Sequence, residues 1–346
     1  MKLLANKSLF STLLFTCLFG VSSSFSAVAA EDEQAKNSLE RLSKSLRKLN
    51  FNTSFVVVKN NQAEPYHWLH GIVEKSESEH EEANGELNEG NSELEILALL
   101  NGPRRDILRV NNRVTYIEPE YAPYSINSEQ ISGPIPTVFG RDISVLADNY
   151  HFVSVGKNRV LGRAAQLIRI VPTDSHRFGY WVWLDLQSGL LLKLAVITRK
   201  GKLLEQIQFT HLEITDTISE NLKQLQATEL PKVIDITANQ KTIDLAWQVN
   251  WLPDGFKAVK SNRHRINNNK QAVEFMLFND GLVDISVYVN PSKSKQRAIE
   301  FASDGATLVL NQVINNIEVS VVGKIPLETA KKIVSSVSFT RKLAKP

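Results

Sequence analysis

The apolar positions of this chain change their period near the start. Leu39, Leu42, Leu46 and Leu49 recur at steps of three, four and three among Lys, Arg and Ser, the stripe of a helix laid on a core. Over residues 51–59 the period becomes two. Several short apolar runs follow, with turn signals at Asn111-Asn112, Gly156-Lys157-Asn158, Gln187-Ser188-Gly189 and Lys200-Gly201-Lys202. Connections this short join antiparallel neighbours and cannot hold the crossover that parallel strands need, so the pattern predicts an antiparallel meander, not a doubly wound nucleotide-binding sheet. Within residues 178–186, Tyr180, Val182 and Leu184 face one way and Trp181 and Trp183 the other. Both faces are apolar there, which fits a sheet covered on both sides or a sheet with one face lining a concave ligand pocket.

The meander is predicted to end near Ile214. Residues 215–236 are polar, contain Pro231 and lack alternation, which reads as a short helix plus linker. Apolar runs resume at 243–249, 272–278, 282–289, 306–313 and 317–322, two of them joined closely by Asp280-Gly281. Pro326 suits a first helical turn, and Ala330, Ile333, Val334 and Val337 then form one face of a closing helix. The expected layout is a leader at 1–30, a large domain at 31–217, a linker at 218–236 and a smaller, mostly β domain at 237–346.

The leader reading rests on Lys2 and Lys7 before an apolar run over 9–19, too short to span a bilayer comfortably, and on the small residues Ser26-Ala27-Val28-Ala29-Ala30. Cleavage after Ala29 or Ala30 predicts export, and removes the one cysteine, Cys17. The whole chain carries 40 basic and 37 acidic residues, too even a balance for non-specific nucleic-acid binding. Residues 74–95 hold nine glutamates and one lysine, which reads as a solvated loop; the rest of the mature chain is moderately basic and suits an anionic ligand or partner.

Enzyme motifs are missing: there is no phosphate-cradling Gly-rich loop with Lys, no Gly-x-Ser-x-Gly and no His-Glu-x-x-His. His67 and His70 sit three apart in a strand-like stretch, hence on opposite faces, and Asp174-Ser175-His176 reads as a turn between strands rather than a triad. No catalytic residue, metal site or cofactor is expected. The candidate lipid-contacting residues are Trp181, Trp183 and Tyr180 along the doubly apolar strand, with Arg104 and Arg105 as cations able either to meet phosphate at a pocket mouth or to cap a strand edge.

Gly102-Pro103-Arg104-Arg105-Asp106, Tyr116-Ile117-Glu118-Pro119 and Tyr150-His151-Phe152-Val153-Ser154-Val155-Gly156 resemble the RseB/MucB family. The resemblance continues through 159–171, Tyr180-Trp181-Val182-Trp183-Leu184-Asp185, Trp251-Leu252-Pro253-Asp254-Gly255-Phe256 and Val322-Gly323-Lys324-Ile325-Pro326. It implies an α+β protein whose large N-terminal domain is a LolA/LolB-like unclosed β-barrel with covering helices, joined to a smaller α/β domain. It also implies a periplasmic regulator of the sigma-E envelope stress response that binds the periplasmic domain of an RseA/MucA-like anti-sigma factor and shields it from a DegS/AlgW-type protease. Lipopolysaccharide or lipoprotein acyl chains are the implied releasing ligands. The runner-up is a lipid or lipoprotein carrier on the same first domain; homo-oligomerisation and the partner-interface residues are left open.

Overall fold

A computed structural model describes residues 22–74, 92–234, 245–265, 272–292 and 299–339. The helix foreseen from the leucine stripe is α1 (Ser22–Lys48), which buries Ala35, Leu39 and Leu42. It is followed by β1 (Asn50–Lys59), β2 (Gln62–Val73), β3 (Ser92–Leu99), β4 (Asp106–Val110), β5 (Arg113–Ile117) and β6 (Tyr124–Asn127). Two short 3-10 turns, Thr137–Gly140 and Ile143–Leu146, lead to β7 (Tyr150–Val160), β8 (Arg163–Pro172), β9 (Gly179–Asp185), β10 (Leu191–Ile197) and β11 (Leu203–Thr215). All eleven strands form one antiparallel sheet in the order β6-β5-β4-β3-β2-β1-β11-β10-β9-β8-β7. Its end strands β6 and β7 do not pair with each other, so the barrel is unclosed, as expected.

Alternation sets the two faces. Phe51, Thr53, Phe55 and Val57 of β1 turn inward under α1, and Tyr180, Val182 and Leu184 of β9 join the same core. The helix foreseen after the meander is α2 (Glu220–Gln226), whose N-cap Ser219 accepts from the N–H of Leu222. It packs on the outer face, where its Leu222 and Leu225 meet Leu69 and Leu94. Gly71 permits this approach, because a Cβ there would lie 2.6 Å from Cγ2 of Ile218. Beyond α2 the chain returns to the sheet edge, where Val233 bridges Ser125 of β6. The stretch expected as a linker is therefore docked along the sheet; its last residues, 235–236, lie outside the described residues.

The second lobe contains β12 (Trp247–Val249), β13 (Lys257–Arg265), β14 (Ala272–Asn279), β15 (Asp284–Pro291), β16 (Glu300–Asp304), β17 (Thr307–Ile314) and β18 (Ile317–Gly323). Then come α3 (Leu327–Ser336) and β19 (Val337–Phe339). Six of these strands form an antiparallel sheet, β13-β14-β15-β18-β17-β16, while β12 pairs β19. Pro326 is the N-cap of α3, one residue before the expected first turn, and Ala330, Ile333 and Val334 bury the foreseen face, while Val337, expected on that face, is the extended C-cap and begins β19.

Two local readings change. Gly156-Lys157-Asn158 is not a turn but lies inside β7, where the register slips between Ser154 and Gly156. Gly156 supplies the positive φ of that bulge at 133°, and the true reversal follows at Leu161-Gly162, both also at positive φ. The solvated loop expected over 74–95 ends sooner: β3 begins at Ser92, and Glu93 and Glu95 are strand residues with partners. Residues 75–91 lie outside the described residues, as do 1–21 of the expected leader.

Candidate functional site

A cavity of about 100 Å³ opens between the C-terminal end of α1, the inner face of β1 to β4 and the segment 129–140. Its apolar wall comprises Leu46, Phe55, Trp68, Leu97, Ile131 and Ile135. The strand residues reach it because they share the inward parity of β1, β2 and β3: Thr53 stands opposite Trp68, and Trp68 opposite Leu97. Phe51 stacks edge-on against Trp68 at 4.9 Å between centroids, fixing the indole beside the opening.

One side of the cavity is ionic. Arg109 of β4 is directly opposite Glu95 of β3, and its Nε donates to Glu95 at 2.5 Å. Its terminal nitrogens bond Glu93 and donate to the carbonyls of Asn111 and Glu129 at 3.4 and 3.1 Å. The Trp68 indole N–H donates to the other Glu95 oxygen at 3.2 Å. Burial pushes the Glu93 carboxyl up, but hydrogen bonds from His70 and Arg109 outweigh it and hold the group down at about 2. Burial likewise works against the Arg109 charge, and the two carboxylates more than restore it. The protein itself satisfies these charges, so the cavity offers its apolar wall for recognition together with Arg47, whose Nε donates to the Ser43 carbonyl.

The sequence-derived candidates lie elsewhere. Tyr180 is a core residue, and burial raises its phenol. Trp181 and Trp183 are half-buried on the outer face, with the Arg169 guanidinium 5.9 Å from the Trp181 ring and the Lys193 ammonium 4.9 Å from that of Trp183. Arg104 and Arg105 are exposed in the β3–β4 turn, Arg104 donating to Asp106 at 2.6 Å. None of the five borders the cavity. The physical reason is parity: the inner row of β9 is spent on the common core, so its tryptophans project away from α1. The residues that do line the cavity were not singled out from the sequence; their one signal is the alternation Trp68 with His70 and Glu93 with Glu95, which the acidic run obscures.

His67 and His70 do fall on opposite faces: His67 meets Asn52 at 2.7 Å, whereas His70 is buried between the Leu49 carbonyl at 2.7 Å and Glu93 at 3.0 Å. Asp174, Ser175 and His176 occupy the β8–β9 turn as foreseen, and here that turn meets the second lobe. His176 lies 3.3 Å from the Thr329 hydroxyl and edge-on to Trp251. The neighbouring Arg177 is wholly buried. It donates to Asp280 at 2.6 Å, pairs with Asp174, bonds the Asp254 carbonyl, and sits over the rings of Tyr150 and Phe256. Tyr150 also donates to Asp280 at 2.8 Å, while the other Asp280 oxygen accepts from the N–H groups of Leu282 and Val283. Lys59 with Asp304 and Lys324 with Glu205 add further bridges between the lobes, and one apolar cluster runs through both.

The MucB/RseB N-terminal domain matches residues 34–89 and 86–234, and the MucB/RseB C-terminal domain matches 241–338. The chain belongs to the MucB/RseB family. It is 30% identical over 314 residues to the Sigma-E factor regulatory protein RseB of Haemophilus influenzae, covering 91% of this chain and 94% of that protein. It is 29% identical over 313 residues to the Sigma factor AlgU regulatory protein MucB of Pseudomonas aeruginosa, covering 89% and 92%. Among solved structures, the complex of Pseudomonas aeruginosa MucA and MucB contains a chain that is 28% identical, with a TM-score of 0.69 over 89% of this chain and 99% of that one. A structure of MucB in complex with MucA(peri) is similar at a TM-score of 0.68. The resemblance read from the sequence is thus a family membership, and it extends through both lobes.

Proposed function

We propose that this protein is a periplasmic negative regulator of a sigma-E-type response. In this reading it binds the periplasmic domain of an RseA/MucA-type anti-sigma factor, shields it from regulated proteolysis and is not an enzyme. The observation that carries the reading is likeness over 89% of the chain to MucB, a protein solved together with MucA(peri). The shared core supports it, because two lobes held as one body offer a preorganised surface to a protein partner.

Release by lipopolysaccharide or mislocalised lipoprotein belongs to the same proposal, and the cavity beneath α1 is its receiving space. An acyl chain gains about 0.8 kcal/mol per buried methylene, and the wall of Leu46, Phe55, Trp68, Leu97, Ile131 and Ile135 supplies the apolar lining. A lipid or lipoprotein carrier is the second reading; the cavity favours it, and the second lobe has no task in it.

The test is to titrate a labelled periplasmic fragment of the cognate anti-sigma factor with the full chain, with and without lipopolysaccharide. Saturable binding that slows cleavage of the fragment, and that lipopolysaccharide weakens, is expected. By linkage the fragment must weaken lipopolysaccharide binding by the same factor. Ile131→Trp, which fills the cavity, should retain the fragment and lose the lipid response. Absence of fragment binding overturns the regulator; lipid binding without it leaves the carrier.

A further inference from the structure

The outer face of the large sheet has two unlike halves. Over β2, β3 and β4 it is covered by α2, an amphipathic turn of helix seated through Leu222 and Leu225. Over β8, β9 and β10 no described element covers it, although it is built of the same kind of side chain. Register places Leu167, Trp183 and Lys193 opposite one another across three strands, and Arg169, Trp181 and Ala195 in the adjoining row. Trp181 and Trp183 meet edge to face at 6.1 Å and are both half-buried.

The charges on this half have one sign. Apart from the pair that Arg163 makes with Asp185 at the strand ends, the charged outward residues of these strands are Arg169 and Lys193. Beside Trp181 a groove of about 270 Å³ continues past the ends of β8 and β10, with Arg199 on its rim; its one carboxylate, Asp174, is taken by Arg177. Aromatic rings carrying cations above them make a surface where apolar contact and negative charge are satisfied together.

We propose that the outer face of β8 to β10, centred on Trp181 and Trp183, docks an acidic amphipathic segment of the protein partner, as α2 occupies the other half of the same face. Apolar side chains of the segment cover the two indoles, and its carboxylates pair with Arg169, Lys193 and Arg199. The inference rests on the regulator reading and gives it a contact surface distinct from the lipid cavity.

The test uses the full chain and the labelled periplasmic fragment of the anti-sigma factor. Reversing two surface charges, Arg169→Glu with Lys193→Glu, should raise the dissociation constant at least about tenfold, as loss of a contact at the centre of an interface does, with melting temperature monitored alongside. In a chain kept otherwise native, a photo-crosslinker at Gln208, which stands opposite Lys193, should capture the fragment. Wild-type affinity in the double variant, or no capture at Gln208, overturns the inference and leaves the regulator standing. Absence of binding by the unaltered chain overturns both. If the double variant instead loses adhesion to phosphatidylglycerol vesicles while keeping the fragment, the face serves a membrane surface and the proposal fails.

Discussion

Arg109 and Arg177 are both almost withdrawn from solvent, with side chains 4% and 0% exposed, and each is held by two carboxylates. Their surroundings differ in reach. Arg109 takes Glu93 and Glu95 from the strand next to its own, 16 and 14 residues away, so its cluster stiffens one wall of one lobe. Arg177 takes Asp174 from its own turn and Asp280 from the other lobe, 103 residues away. The same chemistry is local scaffolding in one place and the joint of the molecule in the other. A buried charge pair is weak evidence of net stability but is costly to break from one side, so the two sites should respond to mutation in different ways.

The largest effect is expected from Asp280→Ala, which deprives Arg177 and the Tyr150 hydroxyl of their shared acceptor and the Leu282 and Val283 N–H groups of theirs. A loss of about 3–5 kcal/mol follows, the range for a buried pair broken from one side, even with Asp174 still beside Arg177, and is read by denaturant unfolding. Because the site joins two lobes, their unfolding should separate into two transitions; a single transition of unchanged midpoint would remove the joint.

Arg109→Met should be next, at about 2–3 kcal/mol, since it leaves two carboxylates partly unpaired, and it should keep unfolding as one transition. It also has a pH signature. The Glu93 carboxyl is lowered in the folded state from 4.5 to about 2, so its contribution is present above the unfolded value and is lost as pH falls from there through about 2. Without Arg109 the folded value rises, and acid unfolding should begin at higher pH than in the parent. An unchanged acid limb would show that the cluster does not act on Glu93.

The smallest effect is expected at Lys59→Ala, although it too cuts a bridge between the lobes. Its partner Asp304 is more than half exposed, so water and salt replace the contact at a cost within about 1 kcal/mol. A loss as large as that of Asp280→Ala would mean that crossing between lobes, rather than burial, sets the energy.

These contrasts also show what a sequence carries openly. The leucine stripe of α1, the meander, the Asp280-Gly281 reversal and the face of α3 depend on spacing within one element, and they were legible. So was the opposition of Trp181 and Trp183 to Tyr180. Which of the two faces α1 would cover was not legible, because both are apolar; the tryptophans stand on the face away from the cavity beneath α1, with Trp181 beside the groove at the ends of β8 and β10. Glu95 and Arg109 form a pair only once β3 and β4 are in register, and Arg177 meets Asp280 only once two lobes have packed. The Gly156 turn signal was overridden because a bulge uses the same glycine that a reversal would.

The bulge in β7 has a consequence for how the molecule behaves among copies of itself. An unclosed sheet leaves two terminal strands whose unpaired backbone groups can template a foreign strand. β6 is only four residues long and has Val233 bridged beside it. β7 is long and, among the described residues, has no strand on its outer edge, but the slipped register twists it midway, Val155 is thrown outward there, and Lys157 and Arg159 follow along the rim. A second β7 approaching edge to edge would meet a kinked ladder and its own positive charge, so the barrel stays open without offering a seed for polymerisation.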